Sequence, residues 1–263
     1  MGAVGSLDSF VKHRTRSQVG WVRADLAELG LDPFWAALEP IAGAKGRGGV
    51  GRLELGGCDL VVRPYRRGGA LAGILSDRYL SPTRARAELD LLRTLRQKGV
   101  PVVAPVAAIG RQRGLFWRLR LCTERLPEAR TLPQFMADFP GHRRRAVEAV
   151  ALAVRLAFDA GLRHPDLHVD NVLCFLGQGT VQAVLVDLDR ARLVGSLSDH
   201  ARDAMLARMQ RYILKHRQRL PATPTRAETM RFLCGLGLAR ASRHQLWRAQ
   251  ARRLARRASP SQR

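Results

Sequence analysis

The feature that most restricts the fold is a change of pattern near residue 125. Before it, short apolar runs are broken by glycine; after it, long amphipathic stretches dominate. Leu53, Glu54 and Leu55 alternate in polarity, Gly56-Gly57 supplies a turn, and residues 58–63 resume an extended apolar run, so the segment reads as a β-hairpin. Residues 83–98 carry Ala85, Leu89, Leu92 and Leu95 at helical spacing and stop at Gly99. Two further strands are expected within 101–109 and 115–121, and a helix around 22–29 in an otherwise polar N-terminal stretch. Residues 123–133, polar and with two prolines, read as a connector. Beyond them, 142–160 is a helix with Val147, Val150, Val154 and Phe158 on one face, followed by strands at 172–175 and 181–186 and a mostly helical remainder from 198 to about 257. The expectation is an α+β chain of two lobes with a cleft between them. A small β-rich N-lobe would span 1–125, with 1–35 as an extension, and a larger, mainly helical C-lobe 126–263.

Charge narrows the class of partner without choosing one. The formal net charge is +23, and only four of the 45 basic residues are lysine: Lys12, Lys45, Lys98 and Lys215. Arginine forks onto phosphate with two donors, so anionic membrane, nucleic acid and phosphorylated substrate all fit; the codon bias of a GC-rich genome, which inflates Arg and Ala together, accounts for the composition equally well. Residues 146–162 form the longest apolar stretch, but Glu148, Arg155 and Asp159 interrupt it, so it reads as a core helix rather than a membrane span. The first residues show no secretory signal. The cysteines, Cys58, Cys122, Cys174 and Cys234, are too scattered for a thiol-bound metal.

The chemistry concentrates in His164-Pro165-Asp166-Leu167-His168-Val169-Asp170-Asn171, between the long helix and the next strand. Phosphoryl transfer from a nucleotide needs a carboxylate to orient the attacking hydroxyl and an oxygen ligand for Mg²⁺ in the same loop; Asp166 followed by Asn171 has the spacing H-x-D-x-x-x-x-N that meets both needs. A second carboxylate should follow the strand pair, and Val184-Leu185-Val186-Asp187 delivers one. Asp187 and Asn171 are the candidate metal ligands and Asp166 the candidate catalytic residue. His164 reads as a residue bonding the loop backbone, whereas His168 and Asp170 are left open between solvent and substrate.

Several strings in order along residues 43–193 resemble the lipopolysaccharide core kinases, in particular the 3-deoxy-D-manno-octulosonic acid (Kdo) kinases, a branch of the protein-kinase-like superfamily. They are Gly46-Arg47-Gly48-Gly49, the run from Val62 through Tyr65-Arg66-Arg67-Gly68-Gly69, Asp77-Arg78-Tyr79-Leu80, the helix start with Glu88, residues 99–108, Thr123-Glu124-Arg125-Leu126-Pro127, and Asp187-Leu188-Asp189-Arg190. The resemblance implies a bilobal kinase-like fold. Gly46, Arg47, Gly48 and Gly49 would cover the phosphates of ATP, and Arg63, paired with Glu88, would stand at the strand position where most kinases carry a phosphate-binding lysine. Lys45 is an alternative for that role, since a planar fork does not replace a point charge without a change of geometry.

Pro165 stands where regulated protein kinases often carry arginine, Asp187-Leu188-Asp189 replaces Asp-Phe-Gly, and no Ala-Pro-Glu follows; a small-molecule or glycolipid hydroxyl is therefore expected rather than a peptide. The expected cofactors are ATP and Mg²⁺. The expected partners are a Kdo-lipid A precursor and an anionic inner-membrane surface met from the cytoplasmic side, with no specific nucleic acid and no protein partner. Arg66, Arg67, Arg78 and the basic stripe near Trp247 are candidates for lipid or sugar anions. Two rival readings are a phosphotransferase for another small molecule, such as an aminoglycoside, and an inactive kinase-like binding module.

Overall fold

The computed structural model describes residues 9–41, 49–66, 77–238 and 240–258. They fall into two compact units: one of residues up to Gln97 together with Val103–Pro127, the other of Lys98–Val102 together with Glu128 onward.

The first unit is built on an antiparallel sheet. Its strands are β1 (Phe10–Arg14), β2 (Gln18–Arg23), β3 (Glu39–Pro40), β4 (Gly51–Leu55), β5 (Cys58–Pro64), β6 (Pro105–Arg113) and β7 (Phe116–Glu124), in the spatial order β1-β2-β6-β7-β5-β4-β3. The expected hairpin is β4–β5, with Leu55 opposite Cys58 across Gly56-Gly57. Alternation then sorts the side chains. Val22, Val62, Ala107 and Cys122 share one face and pack with Leu26, Leu31 and Phe34. Arg63, opposite Leu121, takes the other face. That face meets helix α1 (Thr83–Gln97), whose Ala85, Leu89, Leu92 and Leu95 are buried.

The N-terminal expectation changes here. Residues 22–29 are not one helix: β2 ends at Arg23 and a 3-10 turn, Ala24–Leu29, follows. The cause is tertiary pairing, since β2 is hydrogen-bonded between β1 and β6. Buried Arg23 secures the bend, with its Nε at 2.7 Å from Asp25 and a second contact to Glu124.

The second unit contains β8 (Arg130–Thr131), α2 (Leu132–Asp138), α3 (Arg143–Asp159), β9 (Leu162–Arg163), β10 (Val172–Gly177), β11 (Thr180–Leu185), β12 (Arg192–Leu193), α4 (Asp199–His216), α5 (Arg226–Gly235) and α6 (Arg240–Ala258). Helix α2 lies partly where the sequence reads as connector: Pro133 sits in its first turn, where no donor is lost, and the Gln134 Oε1 accepts from the Thr131 N–H at 3.1 Å. Helix α3 buries Val147, Val150, Val154 and Phe158 as its spacing predicts. Residues 101–104 are not part of a strand with 105–109. Instead the Pro101 carbonyl accepts from Leu185 N at 2.9 Å, which ties Pro101 to β11, while the Ala104 carbonyl accepts from Glu124 N at 2.9 Å.

Candidate functional site

Two strand pairs frame the loop from His164 to Asn171. Upstream, β9 pairs with β12, Leu162 opposite Leu193. Gly161 makes that pairing feasible: its φ is +80°, and an added Cβ would lie 2.1 Å from the Val194 carbonyl oxygen. Downstream, β10 pairs with β11, Val172 opposite Leu185, and the ladder extends by one bond from Val186 N to the Asn171 carbonyl at 3.0 Å. Asn171 and Asp187 therefore occupy adjacent strand ends, a juxtaposition that 16 residues of sequence separation does not reveal.

Within the loop, polarity alternates. Leu167, Val169 and Asn171 are buried, while Asp166, His168 and Asp170 are partly exposed between them. The inward set anchors the loop and the intervening set carries its charge. Asn171 donates its Nδ2 to the Asp166 carbonyl at 3.1 Å, so the amide oxygen is the end of that side chain that could ligate a cation. Asp187 is exposed and holds φ +56°, a left-handed conformation that aspartate tolerates better than most residues but that needs support from its surroundings. An amide oxygen and a carboxylate on neighbouring strand ends are the hard donors Mg²⁺ selects, so the residues present fit that ion.

His164 is fully buried, and its Nδ1 accepts from Asp166 N at 3.3 Å, the backbone role its position suggests. Burial pushes its imidazole down to about 4, against the pull of Asp187 and Asp166, so the ring is neutral. Asp166 itself is half-exposed. Its partial burial opposes ionisation, but hydrogen bonds from Arg208 and the nearby His168 win, holding the carboxyl below the usual range.

Helix α4 supplies partners that sequence reasoning missed. The Met205 sulfur accepts from His164 N at 3.2 Å, Arg208 binds Asp166 Oδ1 through two nitrogens, and the Tyr212 hydroxyl donates to Asp170 at 2.7 Å. The Tyr212 ring also stacks on His168, centroids 4.0 Å apart and 6° from parallel. His168 and Asp170, though partly exposed, are thus both engaged by a helix. The only signal available beforehand was the helical spacing of 205, 208 and 212, and nothing in it named the loop as target.

In the first unit, Arg63 Nη2 lies 2.6 Å from both oxygens of Glu88, which is buried and not the exposed carboxylate that helix position alone permits. Tyr65 donates its hydroxyl to the same carboxylate at 2.5 Å, and the Arg63 guanidinium lies 4.7 Å from the Tyr65 ring centroid. Gly49 has φ +75°. Gly46, Arg47, Gly48, Lys45, Arg67, Gly68 and Gly69 lie outside the described residues.

A β-rich N-terminal unit with a charged strand–helix pair, and a mainly helical unit with an Asp–Asn loop set against a strand-end Asp, define the protein-kinase-like class. Structural comparison agrees. A solved structure titled "WaaP in complex with acyl carrier protein" superposes with TM-score 0.57 at 25% identity, covering 86% of this chain and 90% of that one. The family model described as "Lipopolysaccharide kinase (Kdo/WaaP) family" matches residues 33–235, and the chain belongs to that family. It is accordingly a kinase, with ATP as the phosphoryl donor the family implies. Among curated relatives, the 3-deoxy-D-manno-octulosonic acid kinase of Stenotrophomonas maltophilia is 34% identical over 73% of this chain and 77% of its own length. That of Vibrio parahaemolyticus is 29% identical over 69% and 79%. The acyl carrier protein in the WaaP complex is a kind of partner that the sequence did not suggest for this chain.

Proposed function

We propose that this chain transfers the γ-phosphoryl group of ATP, with Mg²⁺, to a hydroxyl of Kdo in the lipopolysaccharide inner core. The observation that carries the chemistry is the Val186-to-Asn171 backbone bond at 3.0 Å, which sets Asn171 and Asp187 side by side with Asp166 on the same loop. The acceptor is supported by relatives that bear the name of that activity. Asn171 and Asp187 would hold Mg²⁺, whose charge offsets that of the phosphates. Asp166 accepts a hydrogen bond from the acceptor hydroxyl and orients its oxygen toward the γ-phosphorus. As the oxygen–phosphorus bond forms, the bond to the β,γ-bridging oxygen breaks, ADP departs, and the hydroxyl proton passes to Asp166 and then to water. Arg63, positioned by Glu88 and Tyr65, would contact the nucleotide phosphates, and Gly46, Arg47, Gly48 and Gly49 would offer backbone N–H groups to them. In this reading residues 1–125 serve the nucleotide and 126–263 the chemistry and the acceptor.

We place the enzyme on the cytoplasmic face of the inner membrane, as a peripheral protein. The net charge of +23 favours an anionic lipid surface, and no helix among the described residues is long and apolar enough to cross a membrane. The test is transfer of labelled phosphate from ATP in the presence of Mg²⁺ to Kdo-lipid A, against a panel of aminoglycosides. Labelling of Kdo-lipid A that vanishes in Asp187→Asn is expected. Labelling of the aminoglycosides alone would reassign the acceptor, and no transfer to either would leave a kinase-like binding module.

A further inference from the structure

Asp166 shares its surroundings with a guanidinium. Arg208 donates Nε at 3.1 Å, and Nη2 as well, to Asp166 Oδ1, while Asp166 Oδ2 lies 3.8 Å from His168 Nε2. The helix that carries Arg208 is tied to the loop on both sides of it: Met205 accepts from the backbone of His164, and Tyr212 binds Asp170 and stacks on His168. Only one edge of the fork is used. Among the described residues Nη1 has no hydrogen bond or ion pair, and the side chain keeps 43% of its exposure. The site therefore presents an anchored, half-open cation beside a carboxylate.

The Kdo acceptor assigned above is itself an acid, and this inference rests on that assignment. To bring a hydroxyl against Asp166, such a sugar carries its own carboxylate toward an anion. Like charges at that separation repel unless a cation lies between them, and arginine is the side chain suited to bridge two carboxylates. We infer that Arg208 bridges Asp166 and the carboxylate of the acceptor sugar, so that one guanidinium both positions the base and selects an acidic acceptor.

The test measures kcat/KM of the wild type, Arg208→Gln and Arg208→Lys on Kdo-lipid A and on the same glycolipid with its sugar carboxylate converted to the carboxamide. In the wild type the amide is expected to lower kcat/KM by about 10- to 100-fold, the loss of a charge-assisted fork. In Arg208→Gln the two acceptors are expected to react at nearly equal, low rates, and Arg208→Lys to fall between, because it keeps the charge without the fork. The KM for ATP should stay constant throughout, and thermal unfolding shows that each variant is folded. An amide penalty as large in both variants as in the wild type overturns the inference alone, leaving Arg208 a partner of Asp166 only. A wild type indifferent to the amide does the same. Failure of the wild type to phosphorylate either glycolipid overturns the acceptor assignment, and this inference with it.

Discussion

The role proposed for Asp166 sets two requirements: the carboxylate must stay ionised, and it must stay reachable. Pairing with Arg208 meets the first and half-exposure the second. Replacing Asp166 with Asn is expected to lower kcat by about 10²- to 10⁴-fold, the usual range for a lost proton acceptor. Because the ion pair is half-exposed, the unfolding free energy should change by no more than about 1 kcal/mol. Tyr65 offers the opposite case. Its hydroxyl bonds a buried carboxylate, so Tyr65→Phe should cost about 1.5–3 kcal/mol in urea unfolding. His164 sets a pH dependence whose sign is fixed by burial. With the folded ring depressed to about 4 from 6.5, the unfolded chain binds more protons between those values. Stability is therefore full above pH 6.5 and declines as pH falls toward 4, by up to about 3 kcal/mol. Urea midpoints across that interval should show the decline, and His164→Gln should flatten it.

Among the elements, α4 has a function that its own composition conceals. Met205, Arg208 and Tyr212 each reach the His164–Asp170 loop, so the helix works through its rotational setting. Inserting one alanine between Met205 and Arg208 would turn the later pair by about 100° relative to the former. Helical circular dichroism should survive, whereas phosphotransfer should fall at least as far as in Asp166→Asn. The β9–β12 pairing is a second such device. Gly161→Ala places a methyl against the Val194 carbonyl and forces a left-handed backbone on alanine, so the expected loss is about 1–3 kcal/mol and a lower Tm. The same two elements mark how far sequence reading reaches. Helix α3 and the β10–β11 hairpin were legible because a buried face repeats at 3.6 or 2 residues. The 205–208–212 spacing was equally regular, but periodicity identifies a face and not what the face meets.

For the whole molecule, the excess of 23 positive charges predicts behaviour rather than fold. The protein should sediment with vesicles rich in phosphatidylglycerol at low ionic strength and release them as NaCl rises, because screening shortens the reach of each charge to about 8 Å near physiological salt. Vesicles of phosphatidylcholine alone should not retain it; retention there, unaffected by salt, would point to apolar insertion in place of electrostatics. The sequence itself shows a shift out of glycine-punctuated strands into amphipathic helices near residue 125. Residues 98–102 group with the second unit, and the Leu185-to-Pro101 bond that joins them to β11 runs between backbone groups that every sequence possesses.

The amino-acid sequence by itself determined the local elements with clear period, the Asp166–Asn171 spacing, and the apolar strand that ends in Asp187. These are short-range properties, set by how side chains alternate or recur along a backbone of fixed geometry. Only the tertiary structure decided that 22–29 splits into strand and turn, that Glu88 is buried under Arg63 and Tyr65, and that Arg208 stands against Asp166. Each of those depends on a partner 23 to 42 residues away or on a neighbouring strand, and long-range pairing is fixed by the packing of the whole rather than by the pattern of any one segment.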